Sequence, residues 1–244
     1  MNNLKIMKYE MKRLLFSKVY LVLLLITGWF SYNVLKTKTI YGLNDTAPFS
    51  EWSYSSFLLD VNPFLLVIVL MFCTYIFSKK EEAVRTITMT TKIKPTTYFC
   101  LKSITITVAY LLTVAIVIAI SFIFYNRVFQ FNNFGQFVQP IFLILIPSVL
   151  FVLGIGMFIG NINGNLLYIF IPIIFIITNS GALSIISGKS LVNSILESKV
   201  ADMMGNLAFN IPQGFVISRI SLGVIGILLI VSVCKAYSKS KNKV

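Results

Sequence analysis

The sequence contains no histidine, only 8 acidic residues among 244, and three cysteines. Each shortage excludes something. Without imidazole the commonest general base and proton shuttle near neutral pH is missing, so rhomboid-like serine protease chemistry and histidine-ligated metal chemistry are ruled out. Cys73, Cys100 and Cys234 show neither a CxxC spacing nor a paired framework, so no disulfide scaffold and no metal site is expected. Charged residues are 12% of the chain, against about 25% in a soluble domain. That is too little polar surface to face water, which excludes a soluble enzyme. No residue is assigned a catalytic role.

Apolar sequence is what the chain has in abundance, at 57% of residues and a mean hydropathy of +0.86. Spans of about 20 residues cross a bilayer core. Six are read here, at about 19–35, 64–77, 103–125, 138–159, 166–178 and 215–234. Residues 1–18 alternate apolar Leu4, Met7, Met11, Leu14 and Leu15 with basic Lys5, Lys8, Lys12, Arg13 and Lys18. That spacing predicts an amphipathic helix in the membrane interface, apolar side toward the acyl boundary. No convincing cleavage site follows it, so it is expected to be retained. A polar stretch runs from the first span to Pro63, and residues 78–102 form the most polar loop. The segment 179–214 is too apolar for a solvated loop and too broken to span, which suits an outer re-entrant or short-helix element. The expected fold is an all-α membrane protein, one transmembrane domain over 1–244. It has six transmembrane helices, an N-terminal interfacial helix and that re-entrant segment before the last span.

The formal charge is +13. Six spans put both termini on one side; that side carries 15 of the 21 basic residues and 3 of the 8 acidic ones. The bias is what the positive-inside rule expects of cytoplasmic loops, so both termini are expected in the cytoplasm and no nucleic-acid partner is needed. Gly188–Lys189–Ser190 imitates the end of a phosphate-binding loop, but Leu183 stands where such a loop needs glycine. Glu81, Glu82 and Arg85 imitate a membrane metalloprotease, which would need histidine ligands for its metal.

Ionisable residues inside spans are functional candidates by default, and here they are nearly absent, which argues against a proton- or sodium-coupled carrier. Arg219 lies about one turn inside the last span, where it can snorkel to the headgroups or meet substrate or the re-entrant segment. In the third span Ser103, Thr107, Tyr110, Thr113 and Ser121 share a helical face. Such hydroxyls mark either helix packing in lipid or a lined pathway; Thr107, Tyr110, Thr113 and Arg219 are the pathway candidates. The 21 phenylalanines are distributed without an evident stripe.

Loop 78–102 interleaves Lys79, Lys80, Glu81, Glu82 and Arg85 with apolar residues, and Glu81 to Arg85 is a favourable i,i+4 pair. A short exposed helix of both charge signs fits a partner's groove as well as it fits a topology anchor. With the interfacial helix, the six spans and the irregular outer segment, the layout resembles an ABC-2 type ABC transporter permease over essentially the whole chain. Glu81, Glu82, Arg85, Thr91, Pro95 and Lys102 carry the resemblance in the loop, which lacks the family's Gly-Thr pair. The resemblance implies a partner cytoplasmic ABC ATPase subunit that holds the ATP and Mg and docks on Lys79, Lys80, Glu81, Glu82 and Arg85, together with a second permease subunit. It also implies location in a bacterial cell membrane, with lipid around the spans. A nearly uncharged interior suits hydrophobic or amphipathic cargo, similar to that of the staphylococcal exporters of amphipathic cytolytic peptides. Drug or lipid-like cargo, and a peptide-immunity protein that binds rather than transports, are the alternative readings.

Overall fold

Apolar runs broken by serine caps set the helix boundaries. Ser17 is extended, and its side-chain oxygen accepts the Tyr20 N–H at 3.3 Å. It thereby ends α1 (Asn3–Leu15) and starts α2 (Lys18–Thr37). Ser50 does the same for α3 (Glu51–Ile76), accepting from the Ser53 N–H at 3.1 Å. There follow α4 (Pro95–Phe129), α5 (Val138–Ile162), α6 (Leu166–Ser180) and α7 (Gln213–Lys241). The computed structural model describes residues 3–42, 47–78, 81, 95–180, 192 and 211–241; among them there is helix and no strand. Lys79, Lys80, Glu82, Arg85 and most of 179–214 lie outside the described residues.

Among the described residues, five helices are long and apolar enough to cross a bilayer, within Lys18–Tyr41, Glu51–Ile76, Thr96–Phe129, Phe134–Ile162 and Gln213–Ala236. The chain is a multi-pass membrane protein. The fifth of the six expected spans is α6, whose 15 residues reach about 22 Å at 1.5 Å per residue. That falls short of a hydrocarbon core of about 30 Å.

The second span departs most from expectation. Residues 51–63, read from sequence as part of a polar outer stretch, are the first half of α3. Pro63 removes one backbone N–H but does not end the helix, as membrane helices tolerate when neighbours surround the gap. The polar residues that hide this half of the span are buried: Ser53, Ser55, Asp60 and Asn62. Asp60 meets the Lys38 ammonium at 3.0 Å. Helix α3 is thus the hub of the bundle, packed against α2, α4, α5 and α6.

Contacts fix the directions. α2 and α4 run together, with Tyr20 beside Thr113 and Tyr32 beside Phe124. α3 opposes them, with Tyr20 beside Phe72 and Phe30 beside Phe64. α5 starts at the Tyr54 end, where Phe137 stacks on Tyr54, and stops where Gly160 meets Phe77. α7 lies parallel to α5: Arg219 is beside Ser148, and Gly226 packs between Leu150 and Gly154. A methyl group added at Gly154 would sit 2.5 Å from the Gly226 carbonyl oxygen, and one at Gly226 would sit 2.3 Å from that of Leu150. Only glycine allows these backbones to touch. α5 thus ends at the Phe77 end and α7 starts at the Tyr54 end, a return of which the structure describes α6. α6 supplies the first part of that return, from Gly164 against Phe77 to Phe175 against Phe64. Helix α1 and the last turns of α7 therefore lie at the same end of the bundle.

Candidate functional site

Two basic and two acidic side chains converge where α1, Glu81 and the start of α4 meet. α1 brings Glu10 and Arg13, three residues apart and so on one face; α4 brings Tyr98 and Lys102, four apart. Arg13 donates to Glu81 Oε2 at 2.7 Å and contacts Glu10 Oε2 at 2.9 Å. The Lys102 ammonium lies 2.6 Å from Glu10 Oε2 and donates to Glu81 Oε1. Tyr98 donates its hydroxyl to the same Oε1 at 2.7 Å, and Lys102 lies over the Tyr98 ring at 5.3 Å from its centroid. Glu81 is 2% exposed and Lys102 4%. Two carboxylates and two cations balance, and every formal charge has an opposite one in contact.

Such a cluster is stable only when each buried charge is both paired and hydrogen-bonded. Burial alone would push the Glu81 carboxyl upward, but the hydrogen bonds from Arg13, Lys102 and Tyr98 and the charge of Lys102 hold it below the ordinary range. Burial pulls Arg13 downward, yet its bond to Glu81 and the negative charges beside it keep it above its ordinary value. Both groups stay ionised across the physiological range.

Glu81, expected in an exposed docking loop, is buried against Arg13, Tyr98 and Lys102. Its side chain faces inward, because α1 and α4 present two cations and a hydroxyl to it. The other members of that surface, Lys79, Lys80, Glu82 and Arg85, lie outside the described residues. Sequence reasoning missed Glu10, Arg13, Tyr98 and Lys102 as a unit. The available signals were an acid three residues before an arginine on an amphipathic helix, and a lysine entering an apolar run.

The hydroxyl face of the third span is resolved residue by residue. Thr107 and Ser103 donate to carbonyls of their own helix, those of Ser103 and Phe99, at 3.0 Å each. Thr113 bonds the Ala109 carbonyl at 3.0 Å and meets the Tyr20 hydroxyl of α2 at 3.0 Å. Ser121 meets the Tyr54 hydroxyl of α3 at 3.1 Å. Tyr110 is fully buried. Thr113 and Ser121 thus join helices, Tyr110 is enclosed, and half-buried Thr107 turns back on α4.

Arg219 does not snorkel. It is 0% exposed, with its Nη1 3.5 Å from Ser148 Oγ and its guanidinium over the Phe215 ring at 4.8 Å. The aromatics are not scattered either. Phe137 stacks on Tyr54 at 4.1 Å and Phe134 on Phe122 at 4.2 Å. Tyr125, Phe131 and Phe49 extend the cluster, and Tyr125 donates to the Pro48 carbonyl at 3.2 Å. These rings come from the start of α3 and the turn just before it, from α4 and from the turn before α5, so no one-dimensional stripe announces them.

No protein-family model matches the chain, and no curated protein and no solved structure is significantly similar to it.

Proposed function

We propose that this chain is the membrane subunit of an ATP-driven ABC-type exporter of hydrophobic or amphipathic peptides. A separate cytoplasmic ATPase subunit holds the ATP and Mg and grips the segment 78–102, and a second permease subunit, the same chain or another, completes the pathway. The observation that carries the reading is the buried charge cluster. It ties Glu81, near one end of that segment, and Tyr98 and Lys102, near the other, to Glu10 and Arg13 of α1. A pull on the segment is therefore delivered to α1, α3 and α4 together, which is what a membrane domain without its own ATP site requires. The ATPase then biases two conformations of the bundle, as any differentially bound partner does. In this reading Glu81 is the anchor behind the docking surface, while Lys79, Lys80, Glu82 and Arg85 are the surface itself.

The same reading takes α6 with residues 181–210 as the sixth pass, with a re-entrant portion. Both termini are then on the cytoplasmic face of a bacterial membrane, in keeping with the basic excess of that end.

The test is mild solubilisation of the chain from its native membrane, followed by identification of what accompanies it. A span-free ATPase should co-purify, and its ATP hydrolysis should respond to added amphipathic peptide. The variant E82K/R85E should lose that ATPase while retaining its fold. Peptide movement by the purified chain alone would overturn the proposal. So would peptide binding with no ATPase attached, which is the behaviour of an immunity protein.

A further inference from the structure

The charge cluster decides which side of α1 is left over. Around the helix, Glu10, Arg13 and Leu14 point one way, and Leu14 is 3% exposed against the bundle. The apolar stripe expected to enter the acyl boundary is thus partly spent on protein contact: Leu14 is in the core and Leu15 packs against it. The opposite side carries Lys8, Tyr9 and Lys12, continued by Phe16 in the turn that follows Leu15, at helical spacings of three and four. Both lysines are exposed, Tyr9 is 67% exposed and Phe16 72%. Glu10, the acid of this helix, is turned inward and neutralised by Arg13 and Lys102. The free face therefore has positive charge and aromatic rings and no negative charge. It lies immediately before the first spanning helix, whose leading Lys18 is also exposed.

Aromatic rings settle at headgroup depth, where their edges and the ring hydroxyl remain wet. Lysines beside them are attracted to anionic leaflets, by roughly fivefold in affinity for each lysine near the surface. We propose that the Lys8–Tyr9–Lys12–Phe16 face of α1 is a binding site for anionic phospholipid headgroups. The two ammonium groups take the lipid phosphate and Tyr9 and Phe16 insert between neighbouring headgroups. The same helix holds Glu81 and Lys102 on its other side, so bilayer charge acts directly on the element that carries the charge cluster. This site requires only that the chain is embedded in a bilayer, and it stands whether or not an ATPase partner exists.

The experiment places a tryptophan reporter in the face, F16W in a W29F background. The full chain is reconstituted in nanodiscs of phosphatidylcholine with a fixed fraction of phosphatidylglycerol. Bromine is carried by one lipid or the other, and W29F without the reporter gives the Trp52 background. Bromo-phosphatidylglycerol should quench the reporter several-fold more than bromo-phosphatidylcholine at equal mole fraction. K8Q/K12Q should bring the ratio to about one, and raised salt should lower it in the parent. An unchanged Trp52 emission in W29F with and without K8Q/K12Q, both lacking the reporter, certifies that the lysine substitutions leave the fold intact. Equal quenching by the two lipids in the parent, quenching by neither, or a preference that survives K8Q/K12Q would overturn the assignment.

Discussion

The two ends of the bundle differ in what dominates their packing. At the Glu81 end a handful of directional contacts among Glu10, Arg13, Glu81, Tyr98 and Lys102 does the joining. At the Tyr54 end Tyr54, Phe122, Tyr125, Phe131, Phe134 and Phe137 lie ring on ring. Charges in a buried cluster succeed or fail together, because removing one strands the others. Ring contacts are many and individually small, so losses there accumulate by degrees. Losses at the charged end are therefore concerted, and losses at the aromatic end gradual.

Breaking that contrast is most direct at Lys102. K102M leaves Glu10 and Glu81 with Arg13 as their one remaining cation among the described residues and should cost about 3–5 kcal/mol, read as a loss of unfolding midpoint in micelles. The double variant E81M/K102M keeps Glu10 and Arg13 balanced and should recover a large part of that loss, giving a strong coupling in a double-mutant cycle. Removing a single hydroxyl, as in Y98F, should cost about 2 kcal/mol, the usual worth of a hydrogen bond to a charged group. At the other end F137L should cost on the order of 1–2 kcal/mol. Combined with F122L it should show far weaker coupling than the Glu81–Lys102 pair. Equal coupling at both ends would erase the distinction.

Acid titration gives the smallest effect. Because Glu81 is held below its ordinary pKa, its contribution is complete above about pH 4.3, the unfolded value for glutamate, and declines as pH falls toward the lower folded value. Unfolding of the parent followed downward from pH 5 should steepen in that interval. E81Q should lack the corresponding part of the slope, and an identical slope would show that other carboxylates dominate.

Hydropathy made four spans legible nearly to their boundaries, because lipid-facing and protein-facing residues are alike apolar. It failed on the first half of α3, where Ser53, Ser55, Asp60 and Asn62 face neighbouring helices rather than water. Polarity in a run says that a partner is needed, not which partner. It did not name the partners of Glu81 and Arg219 either, because they are remote in sequence: Arg13 is 68 residues from Glu81, and Ser148 is 71 from Arg219. The aromatic cluster was invisible for a related reason, since its rings are gathered from three separate segments.

Where Gly154 and Gly226 meet there is no side chain to compress and no gap to close. Turning either helix about its own axis would drive a bulky neighbour such as Leu150 or Phe151 into the facing main chain. α5 and α7 consequently act as a single splinted beam over that stretch. Any change of shape in the bundle has to be taken up at seams upholstered with pliable side chains, such as the one between α2 and α4 where Gly28 faces the tip of Ile120.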